Sequence, residues 1–138
     1  MWSPIDPELL ATARELGVGV VAWSPLGGGF LTGAVTTLAD SDFRRNIPRF
    51  SQTNLAANVD RYAPVRAIAE QLGIQPGQLA LAWLLHQDEH VVPIPGSRTP
   101  AHIEENLAAV RITLSRDDLE RIDAALASIQ PAGDMSIL

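Results

Sequence analysis

The period of hydrophobic positions changes several times along the chain, and each change marks an element. Asp6 can cap a helix whose first residue is Pro7, with apolar positions at Leu9, Leu10, Ala13 and Leu16 and a stop at Gly17. Val18 to Trp23 (VGVVAW) is then continuously apolar, the pattern of a parallel strand covered on both faces, whereas a half-exposed antiparallel strand would alternate. That run is expected to be buried.

Ser24-Pro25 ends the strand in a turn, and three glycines follow at Gly27, Gly28 and Gly29. Residues 36–54 (TTLADSDFRRNIPRFSQTN) are polar and irregular, expected to form a long loop of the kind that serves as a lid or binding loop. A helical pattern resumes from Leu55 to Leu72, with a kink or restart expected near Tyr62 because Pro64 removes a donor and clashes with the preceding turn. Gly73 ends it.

QPGQLALAWLLHQ is so apolar that a helix starting near Pro76 should be buried on most of its circumference. HVVPIP is the second strand. Pro100 starts a short amphipathic helix with Ile103, Leu107 and Val110 on one face. Ser115 and Asp118 form a capping-box start for a last helix facing inward through Leu119, Ile122, Ala125 and Leu126. The tail, from Pro131, is expected to be irregular.

The order is helix, strand, loop, two helices, strand, helix, helix, which is part of a parallel α/β fold. Two parallel strands leave two open edges and are too few to bury apolar runs on both faces, so the sheet is expected to belong to a larger one.

Each strand feeds a glycine-bearing loop: SPLGGG after the first, PGSRTP after the second. Such a loop can bring backbone N–H groups to an anion without side-chain interference, and a following helix N-terminus favours negative charge. The second loop adds the Ser97 hydroxyl and the permanent cation Arg98, which can fork onto a phosphate. Neither loop is a GxGxxG fingerprint or a GxxxxGK[ST] P-loop, so a Rossmann domain or P-loop NTPase is unsupported. Together the two loops suggest one binding site.

Composition narrows the chemistry. A formal charge of −6 with scattered arginines argues against nucleic acid. With no Cys and only three His, at His86, His90 and His102, no metal is expected. No apolar run approaches the roughly 20 residues that span a bilayer, so no membrane partner is expected and the cytoplasm is the default. No Lys occurs anywhere, and Tyr62 is the one Tyr.

AWSPLGGGFLTG, DFRRNIPRF, QLALAWLL and VPIPGSRTPAHIEENLAA, in this order, resemble the C-terminal part of an aldo-keto reductase, including the branch with the potassium-channel β subunits. The resemblance covers nearly the whole chain. It implies one incomplete domain over residues 1–138, a partial (β/α)8 TIM barrel made of the last two parallel strands with their helices, and NADP(H) as cofactor. Trp23 would stack on the nicotinamide ring, and Ser24, Pro25, Leu26, Gly27 and Gly29 would wrap the pyrophosphate. Gly96, Ser97 and Arg98 would lie at the adenosine 2′-phosphate, with Glu105 and Asn106 on the adenosine and adenine side and His102 among the residues on the cofactor's side. Many members carry Lys where Gly96 stands and Arg or Gln where His102 stands, so a preference for NADP over NAD leans on Arg98 and Ser97.

The family's proton donor is a Tyr tuned by Lys, Asp and His. This chain has no Lys, and Tyr62 lies in a helical pattern outside any such motif and is read as structural. No catalytic residue is therefore assigned. The chain is expected to bind the cofactor and to lack carbonyl reductase activity alone; the alternative is a noncatalytic nucleotide-binding or interaction module. Met1 and Trp2 stand where the family leaves its sixth strand, so truncation is expected, with the missing N-terminal barrel part or a second copy as partner.

Overall fold

The computed structural model describes Met1 and residues 6–135. Trp2, and the end of the tail beyond Met135, lie outside the described residues. Helix α1 spans Pro7–Glu15, and the Asp6 side chain accepts from the Glu8 N–H as its cap. Gly17, in the left-handed region at φ 63°, turns the chain out of it. Strand β1 follows at Val20–Trp23, two residues later than the apolar run begins, because the Val18 N–H is used on the Ala13 carbonyl to close the helix.

The polar segment is less irregular than its composition suggests. It contains short 3-10 helices at Phe43–Asn46 and Pro48–Phe50, and its end already belongs to helix α2, Gln52–Arg61, capped by Ser51. Tyr62 breaks the helical run as expected, and α3 restarts at Ala63–Gln71 with Pro64 in its first turn, where its missing N–H costs nothing. Helix α4 covers Pro76–Leu85 and buries Gly77, Leu79, Ala80, Leu81 and Ala82. Strand β2 is Val91–Ile94, α5 is Pro100–Ala108 and α6 is Arg116–Ala127, the last opened by the Ser115–Asp118 capping box.

The core lies among α2, α3, α4 and α6. Leu79 and Ile122 are wholly enclosed, joined by Phe30, Phe50, Leu55 and Ile68. Tyr62 belongs to this core: its ring meets Phe30 edge-on at 5.2 Å, and its hydroxyl donates to the Met1 carbonyl at 2.9 Å.

β1 and β2 pair in parallel, Val20 opposite Val91 and Trp23 opposite Ile94. Parallel pairing sends both strands out at the same end, so the two glycine-bearing loops begin side by side. The expected burial of β1 is not found. Val20 and Ala22 face the helices, while Val21 is 60% and Trp23 77% exposed. Their β2 partners Val92 and Ile94 are also exposed, making one apolar sheet face. The strand has the composition for two covered faces, and two strands with helices on one side cover only one. Ile103 and Leu107 of α5, and Val110 in the 3-10 turn Ala109–Arg111 that follows it, are exposed as well.

Candidate functional site

β1 ends at Ser24, which takes a positive φ of 50°, uncommon for a residue with a Cβ. This bend throws the chain sideways into the 3-10 turn Gly27–Thr32. Gly28 and Gly29 are also left-handed, at φ 63° and 90°. A Cβ on Gly28 would come within 3.1 Å of Phe50 and one on Gly29 within 3.2 Å of Val35, so both positions require glycine for backbone shape and for space.

The first loop does not offer its glycine amides as the sequence suggests. Gly27 N–H donates to the Ser24 carbonyl at 2.9 Å, Gly28 N–H to Ser24 Oγ at 3.3 Å and Gly29 N–H to the Leu26 carbonyl at 3.0 Å. Tight turns satisfy their own donors before a ligand arrives. The second loop differs. The Ser97 and Arg98 backbone N–H groups have no protein partner among the described residues, and the Arg98 guanidinium is exposed and makes no ion pair there.

Between the loops runs a groove of about 750 Å3. From the first loop it is lined by Ser24, Pro25, Leu26 and Gly29, and from the second by Gly96, Ser97 and Arg98. His102, Glu105 and Asn106 of α5 complete that wall. Ten of the twelve residues singled out from the sequence thus meet in one groove, across a gap of about seventy positions. Gly27 is buried beneath it. Trp23 lies outside it, on an adjoining apolar cleft of about 350 Å3 that shares Ser24 and Pro25 and reaches Trp83 and Met135.

Helix α5 is set by Thr99, whose Oγ1 accepts from the His102 N–H, and by Gln78 of α4, whose amide donates to the Glu105 carbonyl at 3.2 Å. Asn106 reaches back along the helix to donate from Nδ2 to Ser97 Oγ at 2.7 Å.

Sequence reasoning missed Arg44, which also lines the groove. Its Nη1 donates to the Gly28 carbonyl, and its Nε and Nη2 fork onto Asp42 at 2.9 and 2.6 Å. That pairing holds the Asp42 carboxyl well down, to about 2. The signal was present in DFRR, but composition cannot say which of two adjacent arginines turns inward.

Among the described residues no group of His, Asp and Glu could hold a metal, and no helix is long and apolar enough to cross a membrane.

A sequence profile described as "Aldo/keto reductase family" matches residues 1–127. The chain is 40% identical over 134 residues to Aldo-keto reductase str7 of Strobilurus tenacellus, covering 94% of this chain and 40% of that protein. Among solved structures it resembles a thermostable aldo-keto reductase, Tm1743, in complex with the inhibitor epalrestat. The TM-score is 0.56 at 28% identity, over 85% of this chain and 33% of that one. The chain thus spans well under half the length of both.

Proposed function

Starting from the premise that the chain belongs to the aldo/keto reductase family, we propose that it is the NADP(H)-binding C-terminal part of such a reductase. In this reading β1 and β2 are the last two strands of a (β/α)8 barrel, where loops commonly form phosphate sites. The observation that carries it is the groove itself, in which the turn after β1 and the PGSR loop after β2 share one wall-to-wall space.

The donor set fits a dinucleotide phosphate. Arg98 brings a permanent charge able to fork, Ser97 brings a hydroxyl, and two backbone N–H groups lie beside them. At the other end the Gly28–Gly29 turn leaves no side chain to block close approach. When bound, the nicotinamide supplies the hydride for carbonyl reduction. Trp23, at the end of β1, offers it an aromatic face.

Proton delivery is what this chain lacks. Tyr62 is buried, its hydroxyl is spent on the Met1 carbonyl, and burial pushes its pKa up to about 12. The sequence has no Lys, and the Arg49 charge that acts to lower it is outweighed by burial. We therefore assign binding to this chain and carbonyl reduction to a complete barrel, with the uncovered sheet face of Val21, Val92 and Ile94 meeting the remaining strands or a second copy. That same face weighs against the alternative of a self-sufficient noncatalytic module.

Calorimetric titration of the chain with NADP and NAD tests the proposal. Arg98→Ala should weaken NADP by about 10- to 150-fold, the value of a hydrogen bond to a charged group, and leave NAD nearly unchanged. Trp23→Ala should weaken both. Equal losses in the Arg98 variant would remove the 2′-phosphate assignment, and no binding of either dinucleotide would end the reading.

A further inference from the structure

We infer that Arg44 is a positioning residue for this groove, one that withdraws the Gly28 carbonyl from it and locks the first loop in its ligand-ready shape. The inference rests on the dinucleotide reading above. The turn Gly27–Thr32 has spent its glycine N–H groups internally, and what remains of such a turn is its carbonyl oxygens. A carbonyl aimed at an anion repels it. Arg44 Nη1 takes up the Gly28 carbonyl, so that its partial negative charge is already paired at the groove wall.

Asp42 makes this possible. Asp42 Oδ1 accepts from the Arg44 backbone N–H at 3.0 Å and from Nε at 2.9 Å, and Oδ2 accepts from Nη2 at 2.6 Å. The guanidinium also stands over the Phe50 ring, 5.9 Å from its centroid. A long side chain with much rotamer freedom is thus held in one place, at 23% exposure. Its Nη1 would stand 3.5 Å from a Cβ on Gly29, an ordinary packing distance that sets the guanidinium directly against the turn. The segment 42–50, expected from the sequence to belong to a lid or binding loop, is the frame that carries this guanidinium.

The arrangement separates position from charge. Asp42 cancels the charge of Arg44 while fixing its geometry, so Asp42→Asn makes the groove more positive and the guanidinium less well held. If Arg44 served only as a nearby cation, Asp42→Asn would tighten dinucleotide binding. If it serves by position, binding weakens.

The experiment titrates the full chain and its Arg44→Ala, Arg44→Lys and Asp42→Asn variants with NADP, NAD and adenosine 2′-monophosphate, with thermal melts to verify folding. Arg44→Ala should weaken NADP and NAD by a similar factor, about 10-fold or more, since the loss of a charge-assisted bond lies on the part they share. Adenosine 2′-monophosphate, which engages only the Ser97–Arg98 end, should be unaffected. Arg44→Lys, with one point donor in place of a fork, should not restore affinity. Asp42→Asn should weaken both dinucleotides several-fold. Dinucleotide binding that is unchanged or tighter in Asp42→Asn, or an equal loss of the monophosphate in Arg44→Ala, overturns the positioning role while leaving the dinucleotide reading intact. A wild-type chain that binds no dinucleotide overturns both.

Discussion

Asn106 donates its side-chain N–H to Ser97 Oγ, nine positions earlier in the chain, at 2.7 Å. A hydroxyl that accepts from an amide keeps its own hydrogen for another acceptor, so Asn106 points the Ser97 O–H away from itself and toward the groove that both residues line. The family resemblance puts Asn106 on adenine, a part common to NADP and NAD. The geometry puts it behind Ser97, the residue that the proposed reading sets at the phosphate only NADP carries. Asn106→Asp would reverse the bond, with the carboxylate taking the Ser97 hydrogen and setting a negative charge beside it. The expected outcome is a loss for NADP of about 10-fold or more, by the value of a charge-assisted hydrogen bond, with a much smaller loss for NAD. Calorimetry on both ligands decides, and equal losses would return Asn106 to the adenine.

Gly96 stands beside Ser97 in the same wall, and it is one of the glycines with ordinary rather than positive φ. A Cβ built there meets nothing within 4 Å. A side chain at this position therefore costs neither strain nor space, and the lysine that many family members carry can be installed directly. Gly96→Lys should tighten NADP by roughly 3- to 10-fold at low salt, with the gain shrinking as ionic strength rises, because an exposed charge is screened. NAD should change little. An unchanged NADP affinity at low salt would mean that the 2′-phosphate does not sit at this loop.

Asp88 ties α1 to the start of β2. Its side chain is 3% exposed; it accepts from the His90 backbone N–H at 2.9 Å, from Arg14 Nε at 2.8 Å and from His90 Nδ1 at 2.8 Å. These donors, the His90 N–H foremost, hold its carboxyl far below the usual carboxylate range. A folded pKa below the unfolded one stabilises the fold fully above the unfolded value, about 3.9, and the contribution disappears as pH falls through the folded value. Urea midpoints should therefore fall as pH drops below about 4. Asp88→Asn should lower the midpoint at pH 7 and flatten that acid limb. A variant with the wild-type acid slope would show that another carboxylate carries it.

The described tail after α6, residues 128–135, is irregular, as its composition suggests, yet it is tied down at several points. Asn58, wholly buried, donates from Nδ2 to the Ala132 carbonyl at 3.1 Å and accepts from the Ala132 N–H at 2.7 Å. Arg49 Nε donates to the Gly133 carbonyl at 2.9 Å. Gly133 itself has φ 75°, and a Cβ there would fall 2.8 Å from the Arg49 backbone. Gly133→Ala should cost about 2 kcal/mol or more, from left-handed strain together with overpacking against atoms that cannot yield. Gly17→Ala, also left-handed at φ 63° but with nothing within 4 Å, should cost only about 1 kcal/mol. Chemical denaturation of the two variants separates the terms, and equal costs would show that the tail is not held at Gly133.

What the sequence determined by itself was local. Caps at Asp6 and Ser115, the break at Tyr62, the two parallel strands and the two glycine loops all follow from side-chain periodicity and from the backbone limits of Pro and Gly, which act within a few residues. Ten residues that line the groove were singled out from two short motifs together with the family resemblance those motifs carry. The tertiary structure decided what depends on distant neighbours. Whether the apolar face of Val21 and Trp23 is covered depends on how many strands surround it, and strand composition cannot count them. Whether the glycine amides face outward depends on the turn, which consumed them, and whether Arg44 or Arg45 meets Gly28 depends on a fork to Asp42 and a ring at Phe50. Trp23 and Ser97 belong to different strands' ends, and only parallel pairing, with its matched exit points, brings those ends together.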